Sequence, residues 1–140
     1  MLNSAPLPAL EKFSAQIPRG ARILCTNEDA GAWLTERGFE IQNLPPDKDL
    51  RLLSLRRESF AGIWAGSGLT RHPTRPIIPI EDAQRVIATF FQALVPGKGM
   101  LFAVHPYPAG AFASLLRQNG LEILSQGIYD QKTAVLCRRI

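Results

Sequence analysis

Residues 60–104 read FAGIWAGSGLTRHPTRPIIPIEDAQRVIATFFQALVPGKGMLFAV. The apolar run Phe60-Ala61-Gly62-Ile63-Trp64-Ala65 has strand length and is stopped by the small residues Gly66, Ser67 and Gly68. After a proline-rich crossing, Ala83, Val86, Ile87, Phe90, Phe91 and Leu94 fall on one face of a helix predicted over residues 81–94. Pro96-Gly97-Lys98-Gly99 ends that helix, and Met100-Leu101-Phe102-Ala103-Val104 is a second apolar strand. Strand, crossover helix and strand make a βαβ unit, whose two parallel strands are buried on both faces.

The same reading extends outward in both directions. Upstream, residues 22–26 are predicted as a first strand and residues 29–37 as the helix after it, closed by Gly38. Residues 39–44 alternate as a second strand, stopped by Pro45-Pro46, and residues 50–55 form a third. Leu10 and Phe13 face inward from a short helix over residues 9–16, and residues 1–8 form a loose N-terminal arm. Downstream, Phe112, Leu115 and Leu116 share a helix face, and Asn119-Gly120 caps that helix. Residues 121–126 and 133–138 then pair as an antiparallel, hairpin-like end to the sheet. Residues 1–140 are thus expected to form one three-layer α/β domain, mostly parallel with a reversed last strand. Its core should hold Ile23, Leu24, Ile63, Trp64, Phe90, Leu94, Leu101, Phe102, Leu116 and Val135.

Composition narrows the partners. At 140 residues, 46% hydrophobic and 20% charged, the chain has enough material for one ordinary globular core. It has no apolar run of membrane-spanning length and no leader pattern, so a cytoplasmic location without membrane association is expected. Cys25 and Cys137 sit in apolar strand-like stretches without metal-ligand spacing, so buried free thiols are expected rather than a disulfide, and no metal. The net charge of +4 comes from scattered basic residues, paired only at Arg56-Arg57 and Arg138-Arg139. That pattern describes a solvated surface, and nucleic acid is not expected as a partner.

The order F-x-G-I-W-A, small residues, a Leu, a Pro, a helix ending in A-L-x-P-G and an apolar strand resembles class I S-adenosylmethionine-dependent methyltransferases. The resemblance is to the half around their fourth and fifth strands, particularly in small bacterial members whose motif reads F-D-G-V-W-A. With flanking segments it runs from about Leu10 to the C-terminus. It implies a Rossmann-like sheet of seven strands with the last reversed, S-adenosylmethionine as cofactor, and methyl transfer to a small molecule. In that family the first strand ends in an acid and enters a loop D-x-G-x-G-x-G, whose glycines admit the methionine part of the cofactor. Here Cys25 stands at the acid, followed by Thr26, with Asn27, Asp29 and Gly31 at the three glycines. Read from the residues alone, this segment is a helix start, with Thr26 or Asn27 capping and acids in the first turn.

The family's second strand ends in an acid that holds the ribose hydroxyls. Leu44 and Pro45 occupy that place, with Pro45 aligned to the acid. Ser54 is the candidate near the adenine. After the fourth strand, Ala65, Gly66 and Ser67, continuing to Leu69, match the small stretch beside the cofactor; alone, they also read as a tight strand-to-loop connection. Ala61 replaces the Asp of F-D-G, and Arg71 followed by His72 replaces a frequent His. Neither His72 nor His105 has a carboxylate at a motif spacing.

Scaffold features are therefore kept while the acid, the first two loop glycines and the ribose acid are replaced together. The expectation is a non-catalytic binding or assembly module with a degenerate cofactor site. The alternative is an active methyltransferase that holds S-adenosylmethionine in an atypical way. The short crossover between the second and third strands should leave apolar surface near Ile41, Leu52 and Leu53. A homodimer would cover it, unless the N-terminal arm folds over it instead.

Overall fold

The structure, a computed structural model, describes residues 7–44, 54–66, 79–129 and 132–140. Among these residues, four helices and six strands follow one another as α1 (Leu7–Ala15), β1 (Arg22–Cys25), α2 (Glu28–Glu36), β2 (Glu40–Asn43), β3 (Gly62–Ala65), α3 (Ile80–Ala93), β4 (Met100–His105), α4 (Ala109–Gln118), β5 (Leu121–Tyr129) and β6 (Lys132–Arg139). They build one sheet in the order β2-β1-β3-β4-β6-β5. β1 pairs in parallel with β2 and β3, and β3 with β4. β6 then runs antiparallel to both β4 and β5, with a register irregularity between Ile123 and Ser125. This is the three-layer, Rossmann-like α/β sheet expected, with its reversed end.

The strand expected over residues 50–55 is described only at its last two residues. Ser54 and Leu55 carry no strand pairing, while residues 50–53, with Leu52 and Leu53, lie outside the described residues, as do residues 1–6 of the N-terminal arm.

Side chains leave each strand with a period of two, so successive residues feed opposite layers. Leu24, Ile63, Ala65, Leu101, Ala103, Val135 and Cys137 turn to α3 and α4, where they meet Val86, Ile87, Phe90, Phe112 and Leu116. Ile23, Cys25, Trp64, Phe102, Val104 and Leu136 turn to α1 and α2, against Leu10, Phe13, Ala30 and Leu34. All ten residues named for the core are buried.

β3 is buried along its whole length. A Cβ at Gly62 would lie 2.5 Å from Ile17 and 2.8 Å from Phe13, so the glycine is what lets α1 rest directly on the strand. Phe13 then meets Trp64 edge-on at 5.3 Å, and Phe102 stacks on the same indole at 4.0 Å. On the other face, α3 stops at Leu94, which is extended, and Phe60 pairs beside it. Arg139, expected on the solvated surface, instead donates from Nη1 to the last carbonyls of α3, Phe91 O at 2.9 Å and Leu94 O at 2.7 Å, with its guanidinium over the Phe91 ring. The C-terminal strand thereby caps the crossover helix.

Because Phe13 fills the space between α1 and β3, Phe13→Ala should destabilise the fold by about 3–5 kcal/mol, read from the midpoint of urea or thermal unfolding. A loss well under 1 kcal/mol would show that α1 is not docked as described.

Candidate functional site

Open parallel sheets place ligands beyond the carboxyl ends of their strands, where the chain direction switches. Here that place lies at the ends of β1 and β3. Three residues leaving β1 are buried: Cys25, Thr26 and Asn27. The Thr26 N–H donates to Trp64 O at 3.0 Å, and Thr26 Oγ1 donates to the same carbonyl at 3.3 Å. Leu44 N–H donates to Cys25 O at 2.9 Å, so β1 is held on both sides to its last residue.

Asn27 occupies the N-cap of α2 with φ −118° and ψ 132°, an extended conformation, and makes no side-chain cap. No left-handed turn therefore follows β1, and the segment enters α2 directly, with Glu28 and Asp29 in its first turn. Asp29 is exposed. The segment is a helix start with acids in its first turn, as expected, but the expected side-chain cap is not made by Asn27.

Gly66 follows β3 directly. A Cβ there would stand 2.5 Å from Trp64 Nε1 and 2.9 Å from Asn27 Oδ1. The room beside this glycine is thus already filled by the indole edge and the Asn27 carboxamide. Trp64 Nε1 is buried and makes no hydrogen bond. Gly31 serves a different purpose, since a Cβ on it would come 2.7 Å from Asn43 Oδ1. It lets α2 lie close to β2.

The expected site residues are therefore brought together only in part. Thr26, Asn27 and Gly66 converge. Cys25 turns into the core beneath α1 and α2, while Leu44 and Ala65 turn into the one beneath α3. Ser54 is exposed and outside any strand. Pro45, Ser67 and Leu69 lie outside the described residues, as do Arg71 and His72. Sequence reading passed over Asn43, the exposed last residue of β2, because it aligned the strand end to Pro45. The pairing of Cys25 with Asn43 places the end two residues earlier.

Burial sets the chemistry available here. The Cys25 thiol is pushed up to about 11 by desolvation, and it donates to Asn27 O at 3.1 Å, so it stays protonated and is no nucleophile at neutral pH. His105, the last residue of β4, is buried, and its imidazole stacks on Phe112 at 3.8 Å. Its Nδ1 accepts the Tyr107 N–H at 3.2 Å, which fixes the neutral proton on Nε2. Among the described residues no group of three or more His, Cys, Asp or Glu is placed to hold a metal ion. No described helix is long and apolar enough to cross a membrane.

No protein-family model matches the sequence, and no curated protein matches it. Solved structures do match in fold. A protein from Listeria monocytogenes assigned as an S-adenosylmethionine-dependent methyltransferase superposes with a TM-score of 0.70 at 7% identity, over 93% of this chain and 96% of that one. An S-adenosylmethionine-dependent methyltransferase from Mesorhizobium loti gives 0.60 at 16% identity, over 94% and 96%. The protein assigned as a methyltransferase in complex with the Trm112 methyltransferase activator of Haloferax volcanii gives 0.57 at 8% identity, over 91% and 87%. The chain has the fold of S-adenosylmethionine-dependent methyltransferases.

The buried imidazole makes stability depend on acid. Desolvation lowers the His105 pKa from 6.5 to about 4. Between these values the unfolded chain binds a proton that the folded chain refuses, so this contribution is complete above the unfolded value and is lost as pH falls toward the folded one. Urea midpoints should fall between about pH 6.5 and pH 5, before most carboxylates titrate. His105→Phe should remove most of that slope, and an unchanged slope in the variant would assign the dependence to other groups.

Proposed function

We propose that this chain is a methyltransferase-fold domain that has lost its hold on S-adenosylmethionine and acts as a binding or assembly module. The observation that carries the reading is Asn27. It stands where the resembled family has its first loop glycine, in an extended conformation, with its carboxamide in the space beside Gly66. A loop of this shape does not bring the backbone to the ligand as a glycine turn does.

The described residues do not fit the cofactor in the manner the resemblance implies. β2 ends in Asn43, followed by Leu44, without a carboxylate, and its one acid, Glu40, lies at the opposite end in an ion pair with Arg22 at 2.8 Å. An amide at the strand end offers one acceptor oxygen where a carboxylate offers two. Methyl transfer depends on the sulfonium and its acceptor being held in line, and a weakened grip on the cofactor removes that alignment.

The assembly side of the proposal is a homodimer formed over the sheet surface around Ile41, which is only partly buried against α2. That a structural neighbour is found in complex with a methyltransferase activator supports a fold of this kind working through a protein contact. One observation favours the alternative, an active methyltransferase acting on a small molecule. The Trp64 N–H is a buried donor at the cleft that a ligand acceptor would satisfy.

Calorimetric titration with S-adenosylhomocysteine, paired with thermal-shift measurement, separates the two. The module reading expects no heat and no shift into the millimolar range. Micromolar binding would return the chain to the enzymes. Light scattering over a concentration series should give a dimer mass, and a monomer persisting at high concentration would remove the homodimer.

A further inference from the structure

At the opposite end of the sheet, the exposed Arg19 and Arg37 line an open groove of about 460 Å³. Arg19 precedes β1, and Arg37 and Phe39 lie between α2 and β2. The groove therefore opens between α1 and α2 at the amino ends of the strands, away from the cleft described above. Gly38, at φ 91°, turns the chain there, and Arg19 packs its stem across the turn, with Cγ 3.5 Å from where a Cβ on Gly38 would stand. The Arg37 guanidinium lies over the Trp33 ring at 3.7 Å. Phe39 and Ile17, both buried, supply the apolar floor.

The geometry points to this groove as a binding site for an organic phosphate, with the phosphoryl group on the two guanidiniums and an aromatic or apolar body against Trp33 and Phe39. Neither arginine makes an ion pair among the described residues, and the nearby Glu40 is engaged by Arg22. Stacking holds the Arg37 guanidinium by its face and leaves its edge N–H groups free to bond in the plane, as bidentate recognition requires. Two guanidiniums suit a phosphate monoester, which presents three acceptor oxygens, better than a carboxylate, which presents two. Glu11 is the acid in the wall, which leaves the site one positive charge in excess. The volume lies within the roughly 300–1,000 Å³ usual for small-molecule sites.

Phenyl phosphate is a suitable probe, since it lacks the nucleoside that a methyltransferase cleft would select. Isothermal titration should give saturable binding. Inorganic phosphate should bind more weakly for want of the ring, and benzoate more weakly for want of the third acceptor oxygen. Arg19→Gln and Arg37→Gln should each weaken binding by about tenfold, while the double change Arg56→Gln and Arg57→Gln, at an exposed pair elsewhere, should leave it unchanged. Absence of saturable binding into the millimolar range would overturn the proposal. So would equal losses at the Arg56-Arg57 pair, or benzoate binding as tightly as phenyl phosphate. None of these outcomes depends on whether S-adenosylhomocysteine binds at the other end of the sheet.

Discussion

The burial of β3 on both faces is the constraint on which the rest of this structure depends. Gly62–Ala65 is only four residues long, yet it pairs with β1 on one side and β4 on the other, and every residue in it is buried. Its two faces make opposite demands. Toward α1, the strand must be nearly flat at Gly62, so that Phe13 and Ile17 can approach, and then wide at Trp64, whose indole lies against Phe13 and Phe102. Toward α3, Ile63 and Ala65 meet a helix whose apolar stripe is Ala83, Val86, Ile87 and Phe90. A strand with polar alternation could not satisfy both layers.

That burial also shapes the cleft. Thr26 spends its backbone and side-chain donors on Trp64 O, which ties the end of β1 to β3 and draws Asn27 inward beside Gly66. Among the described residues, the indole edge of Trp64 and the Asn27 carboxamide thereby fill the space beside Gly66. At the amino end the chain turns through Gly38 and leaves Arg19 and Arg37 around an open groove.

Neutral burial is the common state of the reactive groups. Cys137, like Cys25, is a buried free thiol, and desolvation pushes it up to about 12. His105 is held in the neutral form by the same effect and by the Tyr107 N–H. Placing these side chains inside the core favours whichever protonation state carries no charge. They contribute volume and hydrogen bonds to packing, and none of them stands as an activated nucleophile at neutral pH.

The βαβ unit was legible from residues 60–104 because its signals are local: an apolar run, a 3.6-residue stripe and a Pro-Gly stop repeat the physics of strand, helix and turn directly. The reversed β5–β6 end was legible for the same reason. So was the start of α2, where two acids after Asn27 mark a first turn. By itself the sequence determined the order of the described elements outside residues 50–55, the two-sided burial of β3 and β4, the core list and the replacement of two loop glycines. It could not determine that Asn43, and not a later residue, ends β2, since strand ends are set by pairing with β1. Nor could it show that Arg139 caps α3, a contact across 45 residues. The filling of space beside Gly66 by Asn27, and the meeting of Arg19 with the turn after Arg37, were likewise decided only by tertiary structure. Each depends on how close two separate segments come, and that distance is fixed by the packing of whole layers rather than by any one stretch of chain.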